Sequence, residues 1–564
     1  MENPGKRTRA HQSRAAIQRL YIAMRHLFIR GTYKPLGMSG EAMISALKDL
    51  QPEIYGDLND PERVELAGLL YVLQRLPQGI ESCRYIRLIS REGLEKTHFD
   101  VLVPAKRRRN CYRIDEEQMF IEMTRGRSDI YDILTHLTFL YISAEKIRTN
   151  SLDSKGRKKR EWLKLEKIVE LESMKKPFDK EVAYLYLSTL LGRTYEETIE
   201  ACRRFDNAEG VNSIFHITYW LGRLSMEEAL EDRDREISFS AALREKVGHH
   251  IYGEIWAQRI KDFLSEKGLI HRPIHIISAN MHSVMNAIFA FKALKGKHRH
   301  KTIEDLAKEL SLPARKAWRD QVTAFALKNG MYQLDDTSGT NISVQIFDFE
   351  KIDLRDLRPD LAFDAQKMKD NPPVIFVMDY AFGEQAFETM DEFLKPYEPN
   401  GGGERIPLNV VSISIMGKAG ILYGVKGDIM IPNAHVFEGT ADNYPFDNAL
   451  SGKQFEGQGL GIYEGPMITV LGTSLQNRDI LRYFFKSSWK AVGLEMEGAH
   501  YQKAIQAASK IRNSVRADIV LRYAYYASDN PLETGGTLAS GSLGEEGVKP
   551  TYLITNEILK GILG

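Results

Sequence analysis

Five carboxylates stand where strand-like runs give way to helices or turns, and they are the residues best placed to do chemistry. In Val492-Gly493-Leu494-Glu495-Met496-Glu497-Gly498-Ala499-His500 an apolar run leads into two acids flanking a methionine. Tyr501, Ala504, Ile505, Ala508 and Ile511 then repeat at three- and four-residue steps, as in a helix. A buried-type run, Pro373 to Met378, ends at Asp379-Tyr380-Ala381-Phe382-Gly383-Glu384. Another, Ala517 to Tyr526, ends at Ala527-Ser528-Asp529-Asn530-Pro531. A strand that runs into a helix presents such side chains at the carboxyl edge of a sheet, where open α/β folds hold ligands. Carboxylates there can accept hydrogen bonds from hydroxyls or exchange protons with a reacting group. Each acid also has a plain structural explanation. Acids at a helix start are favoured by the dipole, and an aspartate before Asn-Pro forms turns.

The elements that must position these acids appear from Asn371 onward, where strands and helices alternate with glycines at the turns. Leu408 to Ile415 reads as a strand, followed by a glycine turn over Gly417, Lys418, Ala419 and Gly420 whose backbone amides a ligand can approach. Gly427-Asp428 opens a further strand, Ile468 to Leu471 supplies another, and a helix over Tyr552 to Ile562 closes the chain. Alternation of this kind predicts an α/β layered domain with a central mixed sheet over 371–564.

The ordered set Gly417-x-Ala419-Gly420-x-Leu422, Gly427-Asp428, Glu495-Met496-Glu497 and Ser528-Asp529 resembles the purine nucleoside phosphorylase and nucleosidase superfamily. Within it, Ser528-Asp529-Asn530-Pro531-Leu532 is most similar to AMP nucleosidases. The resemblance covers only the part from about 371 to the end. It implies cleavage of a purine N-glycosidic bond, with Asp529 protonating the departing base at N7. For that its pKa must be raised, and partial burial is the usual means. Glu497 would accept the ribose 2′- and 3′-hydroxyls, Met496 would pack on the sugar, Glu495 would order the loop, and Ser528 belongs to the same binding set. Phosphorylases of the superfamily place an arginine after the first strand, and Asp379 to Glu388 contains none. Glu384 stands where the hydrolases carry the acid that activates water, and a carboxylate beside water is a base. Two positions depart from the pattern. Tyr525 replaces an arginine common ahead of Ser-Asp, and Lys418 lies in the glycine turn, where it could hold the 5′-phosphate of a nucleotide or a phosphate co-substrate. The resemblance therefore implies a purine nucleosidase acting on a nucleoside or nucleotide. A phosphate-dependent phosphorylase and a catalytically silent nucleoside-binding domain stay open as alternatives. It also implies a homo-oligomer. Phe437 and Tyr463 are the candidates for stacking on the base, and Gly535 to Gly547 reads as an active-site lid or a surface loop.

The remaining chain limits the class of protein more than it discloses a function. With 564 residues, 43% hydrophobic and 27% charged, it must divide into several domains of ordinary globular composition. A net charge of +1 gives no global pull toward nucleic acid or membrane. Cys83, Cys111 and Cys202 are too widely spaced for a zinc site and odd in number, which points to a reducing, cytoplasmic compartment. No run reaches the length of a membrane helix, and no metal site is claimed for the histidines at 249, 250, 271 and 275. Gly401-Gly402-Gly403 lacks a following G-K-[ST], so no phosphate-binding loop and no cofactor are expected. Residues 1–295 read as mostly helical, with solvated charge runs such as Lys106-Arg107-Arg108-Arg109 and Glu227 to Glu236. Residues 296–350 read as a small winged-helix-like unit, opened by Thr302 as a helix cap. Its second helix carries Arg315, Lys316, Arg319 and Lys328, which would suit DNA, but a connector role is the expectation. Residues 351–370 read as a linker.

Overall fold

The computed structural model describes residues 8–358, 360–399, 402–440, 442–533 and 544–564. The chain forms two compact units, one from residues 1–249 with 474–480 and one from 250–473 with 481–564.

The first unit contains the helices read from periodicity, among them Arg9–Arg30, Gly126–Ser151, Arg160–Ser173, Lys180–Leu191 and Ile214–Leu230. It also holds a sheet that the periodicity does not reveal. Strands β1 (Thr32–Tyr33), β2 (Tyr85–Ile89), β3 (Val101–Leu102), β4 (Cys111–Arg113), β5 (Gln118–Glu122) and β6 (Glu236–Phe239) form a mixed sheet in the order β1-β6-β2-β5-β4-β3. At two to five residues each, these strands are too short for a period-2 pattern to stand out. The charge runs are only partly solvated: Lys106, Arg108, Glu231, Asp232 and Arg233 are exposed, but other members are buried in ion pairs. Arg109 is 3% exposed and bonds both Asp129 at 2.8 Å and Asp132 at 2.7 Å, with Arg107 on Asp132 at 3.0 Å. Arg235 holds Glu228 at 2.5 Å. Helix Gly126–Ser151 is buried along nearly its whole length, so its two aspartates need charged partners drawn from a run that looks exposed in one dimension.

The second unit is built on one large mixed sheet. Its strands are β7 (Ile274–Ser278), β8 (Met331–Leu334), β9 (Val344–Asp348), β10 (Val374–Met378), β11 (Val410–Ile421), β12 (Ile429–Phe437), β13 (Asn443–Pro445), β14 (Ile462–Thr469), β15 (Gly493–Glu495) and β16 (Val520–Asp529). They follow the order β13-β12-β14-β15-β11-β7-β10-β9-β8, and β16 pairs both β11 and β12. The sheet therefore starts well before residue 371. β7 lies parallel between β10 and β11, at its centre. All five residues of β7 are buried, and His275 is satisfied by the Ser412 hydroxyl at 2.7 Å, which is why a strand flanked by proline and histidine escapes the pattern.

Residues 296–350 keep the expected order of helix, turn, helix and hairpin, with Thr302 Oγ1 accepting the Asp305 amide at 3.2 Å. The hairpin is nevertheless an edge of the main sheet, because β9 pairs antiparallel with β10. Its basic residues are also engaged, Arg315 with Glu309 and Lys316 with Asp320. The stretch read as a linker is anchored by the buried residues Ile352, Leu357, Arg358, Leu361 and Met368. Arg358 is 2% exposed and donates to the Ala287 carbonyl at 3.0 Å and to Asn556 at 2.7 Å.

Five strands close on themselves. β11 pairs β16, β16 pairs β12, β12 pairs β14, β14 pairs β15, and β15 returns to β11. The ends of this small barrel, with the neighbouring end of β10, carry the acids singled out by the sequence.

Candidate functional site

Gly417 to Gly420 lie inside β11, not in a turn. Their backbone is paired with β16 from Gly417↔Tyr525 through Ala419↔Ala527. The register then shifts at a bulge, so that Gly420 faces Asp529 on one side and Leu494 on the other. Small residues and a bulge let the strand continue where a turn seemed required. The glycine at 417 has a packing role, since a Cβ there would come to 3.3 Å from the Tyr380 ring. Lys418 is exposed, and its cross-strand partner is Tyr526.

Asp529 ends β16 and is 4% exposed. Its Oδ1 accepts from the Ser528 hydroxyl at 2.5 Å, and the Ala419 carbonyl lies 3.1 Å from that same hydroxyl. Its Oδ2 is buried with no hydrogen-bond partner among the described residues. Burial raises the pKa of this carboxyl, opposed by the Ser528 hydroxyl and by the charges of Lys418 and Lys426. Next to it, Asn530 donates to the Gly424 carbonyl at 3.2 Å, while Asp428 accepts the amides of Val425 at 2.9 Å and Gly461 at 2.7 Å. Asp428 thus shapes the loop rather than facing a ligand.

Glu495 is 3% exposed and ties the second acidic segment together. One oxygen accepts the amides of Glu497 and Gly498, and the other accepts the Thr469 hydroxyl. Thr469 Oγ1 in turn accepts the Ala499 amide at 3.0 Å. Gly498 is required by close approach, since a Cβ would sit 2.2 Å from the His435 ring and 2.9 Å from Glu495. Met496 is buried beside it. Burial, and then the charge of Glu497, push the Glu495 carboxyl up to about 8. A folded-state pKa above the ordinary 4.5 means that stability is greatest with the proton on. This contribution is complete below about 4.5 and is lost as pH rises through about 8. The melting temperature is expected to fall between about pH 5 and about pH 8, and Glu495→Gln to flatten that fall. Equal slopes for the two proteins in a thermal scan would remove Glu495 as its source.

Glu497 is half-buried, and its Oε1 accepts the Gly383 amide at 2.8 Å. This bond joins the acidic segment to the loop after β10, where half-buried Glu384 directly precedes helix Gln385–Phe393. The bond ties Glu497 to the loop of Glu384, and the pairings of Gly420 with Leu494 and with Asp529 put Glu495 and Asp529, with Ser528 and Lys418, at the same end of the barrel. Tyr525 lies within electrostatic reach of Glu495 and Glu497. It is 4% exposed, and its hydroxyl lies 3.3 Å from His435 Nε2 in the barrel interior. Phe437 meets His500 edge-on at 4.8 Å, and Tyr463 meets Tyr423 at 5.8 Å. Residues 534–543, most of the expected lid, lie outside the described residues, and Gly544–Gly547 is a short 3-10 turn before helix Val548–Leu563. Thr469 and Tyr380 were not foreseen. The signal for Thr469 was a lone hydroxyl at the end of an apolar run, and Tyr380 shares its loop with Glu384.

Among the described residues no group of three or more His, Cys, Asp or Glu is arranged to hold a metal, and no helix is long and apolar enough to cross a membrane. A family model described as a family of unknown function (DUF6909) matches residues 41–320 and 309–564. No curated protein matches the sequence. Solved structures similar to the chain include a futalosine hydrolase mutant of Helicobacter pylori, at 12% identity and TM-score 0.30, over 52% of this chain and 100% of that one. A methylthioadenosine nucleosidase mutant of the same organism aligns at 11% identity and TM-score 0.31, over 51% and 99%. The methylthioadenosine/S-adenosylhomocysteine nucleosidase of Campylobacter jejuni aligns at 10% identity and TM-score 0.30, over 52% and 98%.

Proposed function

The chain belongs to the family of unknown function DUF6909, and for it we propose hydrolysis of the N-glycosidic bond of a purine nucleoside or nucleotide, carried out at the acidic edge of the second unit. The observation that carries this reading is the Asp529 carboxyl, whose Oδ2 is buried without a partner among the described residues and whose pKa is raised by burial. An orphaned buried carboxyl oxygen asks for an explanation, and a proton held for a leaving group supplies one. In this reading Asp529 protonates the purine as the bond breaks and the sugar takes on oxocarbenium character. Glu497 receives the ribose hydroxyls, and Met496 packs on the sugar. Glu384 takes a proton from the attacking water. Glu495 acts through the backbone of Glu497 and Gly498 and is a positioning residue. The motif order described in the sequence supports the same assignment.

Lys418 favours a second reading, in which phosphate rather than water attacks, because its charge lies within Coulombic reach of Asp529. Incubating the full chain with AMP, adenosine, methylthioadenosine or inosine in phosphate-free buffer is expected to release free base. Release that depends strictly on added phosphate selects phosphorolysis. Binding seen by calorimetry without turnover of any of the four selects a silent nucleoside-binding domain.

A further inference from the structure

We propose that the cleft beside the acids, formed by helices Ser283–Ala293, Ile303–Ser311, Lys316–Lys328 and Val548–Leu563, is a specificity pocket for a negatively charged substituent carried by the nucleoside and recognised by Lys418 and Arg319. The inference rests on the nucleosidase reading and adds to it the class of substrate.

The cleft encloses about 650 Å³, far more than a free inorganic anion fills and within the ordinary range of pockets for organic ligands. It shares a wall with the acidic edge. Lys418 lines it and stands two residues before Gly420, and Tyr526 lines it three residues before Asp529. Tyr380, on the loop that carries Glu384, reaches Asn280 and Tyr526 of the cleft with its hydroxyl. A ribosyl group held among the acids therefore has an exit for its remaining part along this wall.

The lining sets the sign of the ligand. Among the described residues it carries two permanent cations, Lys418 and Arg319, against one acid, Glu545. Among the described residues neither cation has a carboxylate partner. Arg319 Nη1 donates to the carbonyls of Leu310 at 2.6 Å and Leu312 at 2.7 Å, which fixes the guanidinium at the cleft without neutralising it. Lys418 also opposes the protonation of Asp529. An anion seated on Lys418 offsets that opposition, so the same contact that recognises the substituent leaves Asp529 better able to hold the proton it gives to the base. The helical pair over 303–328 then has a role in selecting substrate rather than in contacting DNA.

Steady-state base release separates the possibilities. Probes with a phosphate (AMP) or a carboxylate (S-adenosylhomocysteine) are compared with neutral adenosine and methylthioadenosine, in the unmodified chain and in Lys418→Met. The better anionic probe is expected to exceed its neutral counterpart in kcat/KM by about tenfold or more, as a charge-assisted contact gives. That ratio is expected to drop toward one in Lys418→Met, and whichever of the two probes gains identifies the anion. A ratio near one in the unmodified chain, or a ratio unchanged in the variant, overturns the proposal. So does adenosine cleavage accelerated by inorganic phosphate, which makes the anion a co-substrate. If no probe is cleaved, the nucleosidase reading fails, and calorimetry decides the cleft by itself. Tighter binding of AMP than adenosine, lost in Lys418→Met, supports the pocket, and equal or absent binding overturns it.

Discussion

Asp529→Asn is expected to slow base release by about 10²- to 10⁴-fold, the range over which a positioned acid contributes, while the protein stays folded. Asparagine keeps the size of the side chain and an oxygen to accept the Ser528 hydroxyl, which reaches Asp529 Oδ1 at 2.5 Å. What it places at the unpartnered Oδ2 position is an amide that cannot yield a proton to the base. Leaving that amide buried and unpaired costs about 1–3 kcal/mol, a visible loss of stability but a tolerable one for a domain of this size. The pH profile gives a second readout. Burial raises the Asp529 pKa above the ordinary 3.8, so the rate of the unmodified enzyme declines on the alkaline side of that raised value as the acid deprotonates. The variant lacks this decline. A ribosyl substrate whose leaving group needs no proton discriminates further, because it is expected to be cleaved almost equally by both proteins. An equal loss on both kinds of substrate would mean that Asp529 holds the ligand and does not protonate it.

The acids were legible because each ends a run whose pattern is local. β10 and the end of β16 are apolar runs that stop at a carboxylate, and a chain that leaves a sheet edge carries its next residues to that edge. Which strands lie side by side is not local. β7 sits between β10 and β11 through pairings that span about a hundred residues or more, and nothing within Ile274–Ser278 announces its partners. The same blindness made the hairpin of 331–348 look like a separate wing and placed the start of the α/β unit more than a hundred residues too late. Gly417 to Gly420 misled for a different reason. Glycine signals backbone freedom, but here it answers the Tyr380 ring and a bulge within a continuing strand. Tyr525 is read from its position in a motif, and the structure adds a neighbour no motif shows, His435, whose Nε2 lies 3.3 Å from its hydroxyl. In the first unit, Arg107 and Arg109 look solvated until helix Gly126–Ser151 brings Asp129 and Asp132 beneath them.

Glu384→Gln tests the other half of the reaction, because hydrolysis and phosphorolysis predict opposite signs for it. Glu384 follows Gly383, whose amide is held by Glu497 at 2.8 Å, so the loop that carries Glu384 is tied to the acid assigned to the ribose. That bond comes from the backbone and survives the substitution, which leaves substrate binding largely intact. If water attacks, glutamine cannot accept its proton, and kcat is expected to drop by about 10²- to 10⁴-fold with little change in KM. If phosphate attacks, the native carboxylate repels it. Two like charges about 4 Å apart cost about 4 kcal/mol near a protein surface, and glutamine removes that cost, so phosphate-dependent cleavage should rise. Single-turnover base release by Glu384→Gln, with and without phosphate, reads both outcomes in one experiment. A rate that collapses without phosphate and is not restored by it leaves water as the nucleophile and Glu384 as its base. A rate that climbs with phosphate transfers the role of nucleophile to phosphate and leaves Glu384 no part as a base.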